Sequence, residues 1–283
     1  MTAHRLREML AQPGKLIKLA GAHDALGAKL AEAAGFDGVW ASSLEISTSQ
    51  CVPDVGILGI NDLLGPALAM AQAVSVPVVA DCDAAFGGET HVRHLARRYA
   101  AAGVAAVCIA DSQCPKVNSL LATTQRLSSV EEFVTKMQAA RDLKRGRAVL
   151  VIARVEALVA GAGQDEALRR GRAYAEAGAD AVLIHSRSSD GGEILRFIDQ
   201  WDRATPLVVV PTTYHVVTDA ELQRTGKVKM VIYANHGIRA AIAATRRVFR
   251  QILEDGTTHE AEEWIARLDD LFELQGLTHA RRR

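Results

Sequence analysis

Eight times along the chain an apolar run rich in Val, Ile and Ala breaks off into a short knot of polar residues. The runs are Leu16–Ala20, Gly38–Ser43, Val76–Asp83, Val104–Asp111, Ala148–Glu156, Ala179–Ser186, Pro206–Thr213 and Val228–Asn235. Continuous apolar segments of this length and composition predict buried parallel strands. Between them lie helical patterns such as Ala25–Ala34, stopped by Gly35, and Glu166–Ala177, stopped by Gly178, and glycine is the residue a helix C-terminus prefers. Ala-Gly recurs before strands at Ala34, Ala102 and Ala177. One strand-helix unit is therefore repeated without a linker, which predicts a (β/α)8 TIM-type barrel forming a single domain over 1–283. Ala3–Gln12 reads as a short helix over the barrel floor. Arg239–Glu254 and His259–Gln275 read as two helices beyond barrel closure, the last with a stripe of Trp264, Leu268, Leu271 and Phe272 suited to a partner subunit.

Composition narrows the function classes. Of 283 residues, 33 are basic and 33 acidic, so there is no net field to attract nucleic acid. The terminal Arg281-Arg282-Arg283 reads as a solvated tail. Cys51, Cys82, Cys108 and Cys114 form no C-x-x-C pair, and two lie in or at the end of apolar runs. No stretch approaches the roughly 20 apolar residues of a membrane span, and the N-terminus has no apolar targeting core. The expectation is a reduced, cytoplasmic protein that binds neither membrane nor nucleic acid.

The knots carry the chemistry. Asp81 and Asp83 flank Cys82, so strand alternation points both carboxylates one way; hard oxygens suit Mg²⁺, and helix capping is the plain alternative. Asp111, ending the next strand, reads equally well as a cap, and Asp54 lies in a polar loop. Arg154 and Glu156 share a face; an arginine at a barrel mouth grips carboxylate or phosphate, or the two residues simply neutralise each other. His185 ends the sixth run beside Ser186. The loop Ser112–Leu120, with Lys116 and Asn118, reads as an active-site cover. The glycine pairs at 87–88 and 191–192, and Gly161 with Gly163, fit no phosphate-loop or dinucleotide spacing, so no nicotinamide or ATP site is expected.

Taken in order, Gly21-Ala22-His23, Trp40 to Leu44, Val52-Pro53-Asp54, Asp81-Cys82-Asp83, Pro115 to Leu120, Ile152 to Ala157, Ile184-His185-Ser186 and Tyr233 to His236 resemble the phosphoenolpyruvate mutase and phosphonopyruvate hydrolase branch of the isocitrate lyase superfamily. The resemblance implies a barrel whose last helix is exchanged between subunits of a homodimer or homotetramer. It implies Mg²⁺ held by Asp54, Asp81 and Asp83, and a small oxoacid or phosphonate substrate held by Trp40, Ser42, Ser43, Leu44, Ser119, Leu120 and Asn235. Asp54, Lys116, Asn118, Arg154 and His185 take the catalytic places, and the implied reaction moves a phosphoryl group between the enol oxygen and the methylene carbon of pyruvate. Asn118 matches the mutases, where the hydrolase has Thr. Val52-Pro53-Asp54, Ile152 to Gly161 and Arg169-Arg170-Gly171 match the hydrolase, whose products are pyruvate and phosphate. The lyases' K-K-C-G-H loop is missing. Two departures stand out: the family's E-D-K reads Ala110-Asp111-Ser112, and D-x-D-T-G reads Asp81-Cys82-Asp83-Ala84-Ala85. They leave a lyase or decarboxylase of a 2-oxo or 2-hydroxy acid, or an inactive paralogue, as further readings.

Overall fold

The computed structural model describes residues 2–121, 125–142 and 149–277. Eight parallel strands close into a barrel in sequence order: β1 (Ile17–Ala22), β2 (Gly38–Ala41), β3 (Val78–Asp81), β4 (Ala106–Ala110), β5 (Leu150–Val155), β6 (Ala181–Ile184), β7 (Leu207–Val209) and β8 (Val228–Tyr233). All eight expected strands are present, each within or close to its apolar run. Seven runs overshoot at their C-terminal ends because the polar knots belong to the loops, whereas β1 continues two residues past Ala20 to Ala22. The chain divides into two compact units, residues 1–235, which hold the barrel, and residues 236–283.

Strand alternation builds two cores. One face of each strand points into the lumen, where Ile17, Leu19, Trp40, Val79, Ala106, Cys108, Leu150, Ile152, Leu183, Val208, Met230 and Ile232 pack together. The other face, with Val39, Val78, Val107, Val151, Val182 and Val231, packs in the layer that includes helix residues such as Leu95, Phe133, Leu168 and Phe197. Helix α1 (Thr2–Ala11) buries Ala3 and Leu6 in the lumen cluster, as a plug for the end where the strands begin. Extending the inward alternation two residues past Leu19, Trp40, Val79, Cys108, Ile152, Leu183, Val210 and Ile232 reaches Gly21, Ser42, Asp81, Ala110, Arg154, His185, Thr212 and Ala234. These eight positions form the layer at the opposite, open mouth.

Caps mark the helices nearest the site. Helix α2 (Ala25–Ala33) starts at Asp24, whose side chain accepts from Gly27 N at 2.7 Å. Helix α3 (Ser43–Ser49) starts at Ser42, which accepts from Glu45 N at 3.2 Å. The cap keeps Ser42, Ser43 and Leu44 at the mouth rather than inside a longer helix. Helix α4 (Ile60–Ala73), α5 (Glu89–Ala101), α6 (Val130–Asp142), α7 (Gln164–Glu176), α8 (Gly192–Gln200) and α9 (Asp219–Arg224) complete the first unit.

In the second unit α10 (His236–Asp255) is a single 20-residue helix, but the expected helix over 259–275 is broken. A short 3-10 turn (Ala261–Glu263) precedes α11 (Leu268–Leu274), and Arg267 between them is extended. The reason lies in Asp269 and Asp270: acidic residues favour a helix N-terminus, and Asp270 accepts from Arg267 N at 2.9 Å. The expected apolar stripe is accordingly split: Leu268 and Leu271 are exposed, whereas Trp264 lies under the Arg247 guanidinium at 4.2 Å. No described helix is long and apolar enough to cross a membrane. The terminal Arg281-Arg282-Arg283 lies outside the described residues.

Candidate active site

Asp81 closes β3, but Asp83 is no longer in the strand: it takes a left-handed φ of 48°, followed by Ala85 at 63° and Phe86 at 59°. Simple alternation therefore does not place Asp83; a turn does. This turn is tied down by Asp83 N donating to Asp81 Oδ1 at 3.2 Å and Ala110 N donating to Asp83 O at 2.6 Å. Both carboxylates meet the same hydroxyl, Ser43 Oγ, at 3.0 Å (Asp81 Oδ2) and 2.9 Å (Asp83 Oδ1). Cys82 faces away into the outer core, where burial pushes its thiol up.

The loop after β4 brings the compensating charge. Lys116 Nζ donates to Asp83 Oδ1 at 2.5 Å, Asp54 Oδ1 at 2.7 Å and Ser43 Oγ at 3.0 Å, though it is 62 residues from Asp54 in sequence. Asn118 Nδ2 donates to the other oxygen of Asp54 at 2.8 Å, and its own Oδ1 accepts from Leu120 N at 2.9 Å. Burial works against the Lys116 ammonium, yet Asp83, Asp81 and Asp54 outweigh it and hold the amine firmly protonated. Burial raises the Asp83 carboxyl, with Asp81 adding repulsion that Lys116 partly offsets.

Across the mouth, Arg154 Nη1 straddles Asp81 at 3.2 and 3.3 Å. Its Nε lies 2.7 Å from Glu156 Oε1 as an ion pair, although its N–H is not aimed along that line. Glu156 is fully buried and also accepts from Ser119 Oγ at 3.3 Å, while its Oε2 lies 3.2 Å from His185 Nδ1. Burial would raise this carboxyl, but Arg154 and His185 hold it down to about 2. An ionised carboxylate only accepts, so Nδ1 carries the hydrogen and Nε2 remains for a ligand. Arg154 thus pairs with Glu156, as the neutralising reading has it, and also lines the cavity.

One cavity is lined by Trp40, Ser42, Leu44, Asp54, Asp81, Lys116, Asn118, Ser119, Leu120, Arg154, His185 and Asn235, all foreseen from sequence, and by Leu183, Val210, Thr212 and Ala234. Ser43 and Asp83 stand behind this wall, touching Asp81, Lys116 and each other. Six of the eight mouth-layer positions line the cavity, and the other two, Gly21 and Ala110, have no side chain beyond a methyl. At Gly21 an added Cβ would sit 2.0 Å from Ala234 O and 2.3 Å from Glu45 Oε1. Asp111 is neither a helix cap nor a neighbour of the Asp81–Asp83 pair: it is fully buried and binds Arg170, Tyr174 and the backbone of Glu156. Glu156 as a link, and Arg170 with Tyr174, were not singled out from sequence. Arg170 and Tyr174 sit four apart on α7, so the helical period places them on one face, but only the fold shows what they face.

Among the described residues no three His, Cys, Asp or Glu side chains are grouped as a ready ion cage, because Lys116 and Arg154 stand between the carboxylates. The donor set nonetheless fits Mg²⁺. Asp54, Asp81 and Asp83 offer hard oxygens, and four carboxylates, counting Glu156, face only two permanent cations.

Residues 6–253 match the phosphoenolpyruvate phosphomutase family. The chain belongs to this family. It lies in the phosphoenolpyruvate mutase and phosphonopyruvate hydrolase branch of the isocitrate lyase superfamily, as its relatives show. A phosphonopyruvate hydrolase from Variovorax sp. (strain Pal2) is 45% identical, over 98% of this chain and 96% of its own. A crystal structure of phosphoenolpyruvate phosphomutase from Streptomyces platensis subsp. rosaceus is 53% identical with a TM-score of 0.95, over 98% of this chain and 96% of that one. A phosphonopyruvate hydrolase crystallised with oxalate and Mg²⁺ is 44% identical with a TM-score of 0.92, over 98% and 95%. The family's enzymes thus include both activities.

Proposed function

We propose that the chain is a Mg²⁺-dependent enzyme interconverting phosphoenolpyruvate and phosphonopyruvate, so that carbon–phosphorus bonds are made or broken without net hydrolysis. The observation that carries this reading is the state of Asp54. A hydrolase needs a group free to steer water at phosphorus, and here both oxygens of the loop carboxylate are held, one by Lys116 and one by the Asn118 amide. The same amide is the residue type that the resemblance ties to mutases.

The chain's own groups support this chemistry. Mg²⁺ bound at Asp81 and Asp83, with Asp54 nearby, would supply positive charge to the oxygens of the oxoacid. Arg154 presents N–H donors to a phosphoryl group whose charge spreads over its oxygens as it detaches, and preorganised donors in a water-poor site stabilise such charge best, while His185, with Nδ1–H on Glu156, leaves Nε2 as a proton acceptor at the cavity. Lys116, Asn118, Ser119 and Leu120 roof the cavity and keep bulk water from competing for the detached group. Trp40, Leu44, Leu183 and Val210 give the pocket an apolar wall that bounds the size of the carbon skeleton. The exposed Phe249 and Leu253 of α10 support the further proposal of a dimer or tetramer that exchanges the C-terminal helix.

Phosphonopyruvate hydrolase is the second reading, favoured by the 45% identical relative. Phosphorus NMR of the purified protein with Mg²⁺ and phosphonopyruvate tests both. A growing phosphoenolpyruvate signal without inorganic phosphate is the expected result. Inorganic phosphate with pyruvate establishes the hydrolase instead. Inertness toward both phosphorus compounds, with cleavage of a 2-oxo or 2-hydroxy diacid, overturns the proposal in favour of a lyase.

A further inference from the structure

A second buried layer lies behind Arg154 and His185, and the chemistry above makes no use of it. The backbone N–H of Glu156 donates to Asp111 Oδ1 at 2.9 Å. The other oxygen of Asp111 accepts from Tyr174 Oη at 2.7 Å and from Arg170 Nη1 at 3.0 Å. Arg170 is itself fixed, with Nη1 on Ser128 O at 2.9 Å and Nε on Glu166 Oε1 at 2.7 Å. Asp111, Glu156 and Tyr174 are fully buried and Arg170 is 6% exposed.

A tie that served stability alone is the plain reading, but a buried ion pair contributes little net stability against well-packed apolar residues. What that reading leaves unexplained is where the tie ends. It terminates on the backbone of the one residue whose carboxylate touches Arg154, His185 and Ser119 together. Glu156 lies just past the end of β5, where no strand partner fixes its N–H. Asp111 supplies that missing acceptor, and α7 supplies two donors that fix Asp111.

We propose that Asp111, clamped by Arg170 and Tyr174, is a positioning residue: it sets the placement of Glu156 and thereby the Nδ1–H tautomer and ring orientation of His185. The catalytic consequence rests on the function proposed above; the effect on the His185 ring does not. If the acceptor for the Glu156 N–H is lost, the Glu156 carboxylate is free to shift, and the ring no longer has a fixed acceptor for Nδ1–H. A carboxylate or carbonyl that orients a working histidine is worth about tenfold to a hundredfold in activity.

The test uses Asp111→Asn and Tyr174→Phe in the full chain, read in two ways. The first is long-range ¹H–¹⁵N correlation of the His185 ring without substrate, with His185→Gln to assign the signals. The second is kcat and KM for phosphonopyruvate turnover. Asn in place of Asp111 faces three donors with one carbonyl oxygen, so either the Glu156 N–H or the Arg170–Tyr174 pair loses its acceptor. The wild-type ring is expected as the Nδ1–H form. Asp111→Asn should mix the tautomers and lower kcat about tenfold to a hundredfold with KM changed less than about threefold. Tyr174→Phe removes only one donor and should move both readouts the same way by a smaller amount; it also decides the matter should Asp111→Asn fail to fold. Folded variants with an unchanged His185 tautomer overturn the proposal, whatever the activity. A wild-type protein inert toward both phosphorus compounds overturns the function instead, and a tautomer shift in the variants then still upholds the positioning role.

Discussion

Replacing Lys116 with methionine deletes an ammonium while keeping most of the side chain's volume. In the wild type that ammonium lies 2.5 Å from Asp83 and 2.7 Å from Asp54, with all three side chains only 7–8% exposed. Solvent screening is therefore slight, and removing one partner of a buried pair costs about 3–5 kcal/mol. Protonation sets a separate ceiling. A carboxyl of ordinary pKa 3.8 that must take a proton at pH 7 costs about 4 kcal/mol, at 1.36 kcal/mol per unit. The loss at pH 7 in a chelator is therefore expected at up to about 4 kcal/mol. The sign follows from Asp83: without Lys116 its already raised folded-state pKa rises further, so the gap to wild type is absent below the wild-type folded-state pKa, itself above 3.8, and opens as pH rises through it. Urea unfolding of wild type and Lys116→Met between about pH 5 and pH 7 should show the gap widening as pH rises, by at most about 1.4 kcal/mol per unit. Added Mg²⁺ should narrow it by returning positive charge to the same oxygens. A gap that stays flat with pH refutes the carboxylate argument, and a gap indifferent to Mg²⁺ removes the ion from this cluster.

Asp81→Ala should abolish Mg²⁺-dependent turnover of phosphonopyruvate while leaving far-ultraviolet circular dichroism unchanged; full turnover would show that the ion does not need this carboxylate. Gly21→Ala should lower stability by about 3 kcal/mol or more, because the new methyl meets backbone at Ala234 O, and a thermal midpoint within a degree or two of wild type would contradict that packing. Glu156 has a depressed folded-state pKa of about 2 against 4.5, so its contribution is present above about pH 4.5 and drains away as pH falls toward 2. Glu156→Gln should therefore flatten the acid limb of the stability curve, and an unaltered limb would assign acid unfolding to other groups.

Much of the site was legible because barrel geometry converts strand ends into neighbours. Asp81 and Arg154 sit on β3 and β5 and His185 just past the end of β6, yet each follows an inward apolar residue by two positions, and alternation brings them to one mouth. Asp83 was placed on the correct side by an incorrect route: the left-handed turn that aims it depends on packing under Ala110, which strand periodicity does not encode. Lys116 was visible as a loop cation, but its grip on Asp54 and Asp83 joins segments 62 and 33 residues away, and no local signal reports such a reach. Asp111 misled because an aspartate at a strand end has the chemistry of a helix cap; its partners on α7 lie 59 and 63 residues further on. The break between Ala261–Glu263 and α11 was readable in Asp269 and Asp270, had the acidic pair been weighed above the apolar stripe.

The α1 plug has a kinetic corollary. With Leu6 stopping one end of the lumen and Trp40, Val79 and Ile152 filling its middle, the barrel is a blind alley. On the proposed function, substrate and product would therefore both pass through the mouth bordered by Lys116, Asn118, Ser119 and Leu120.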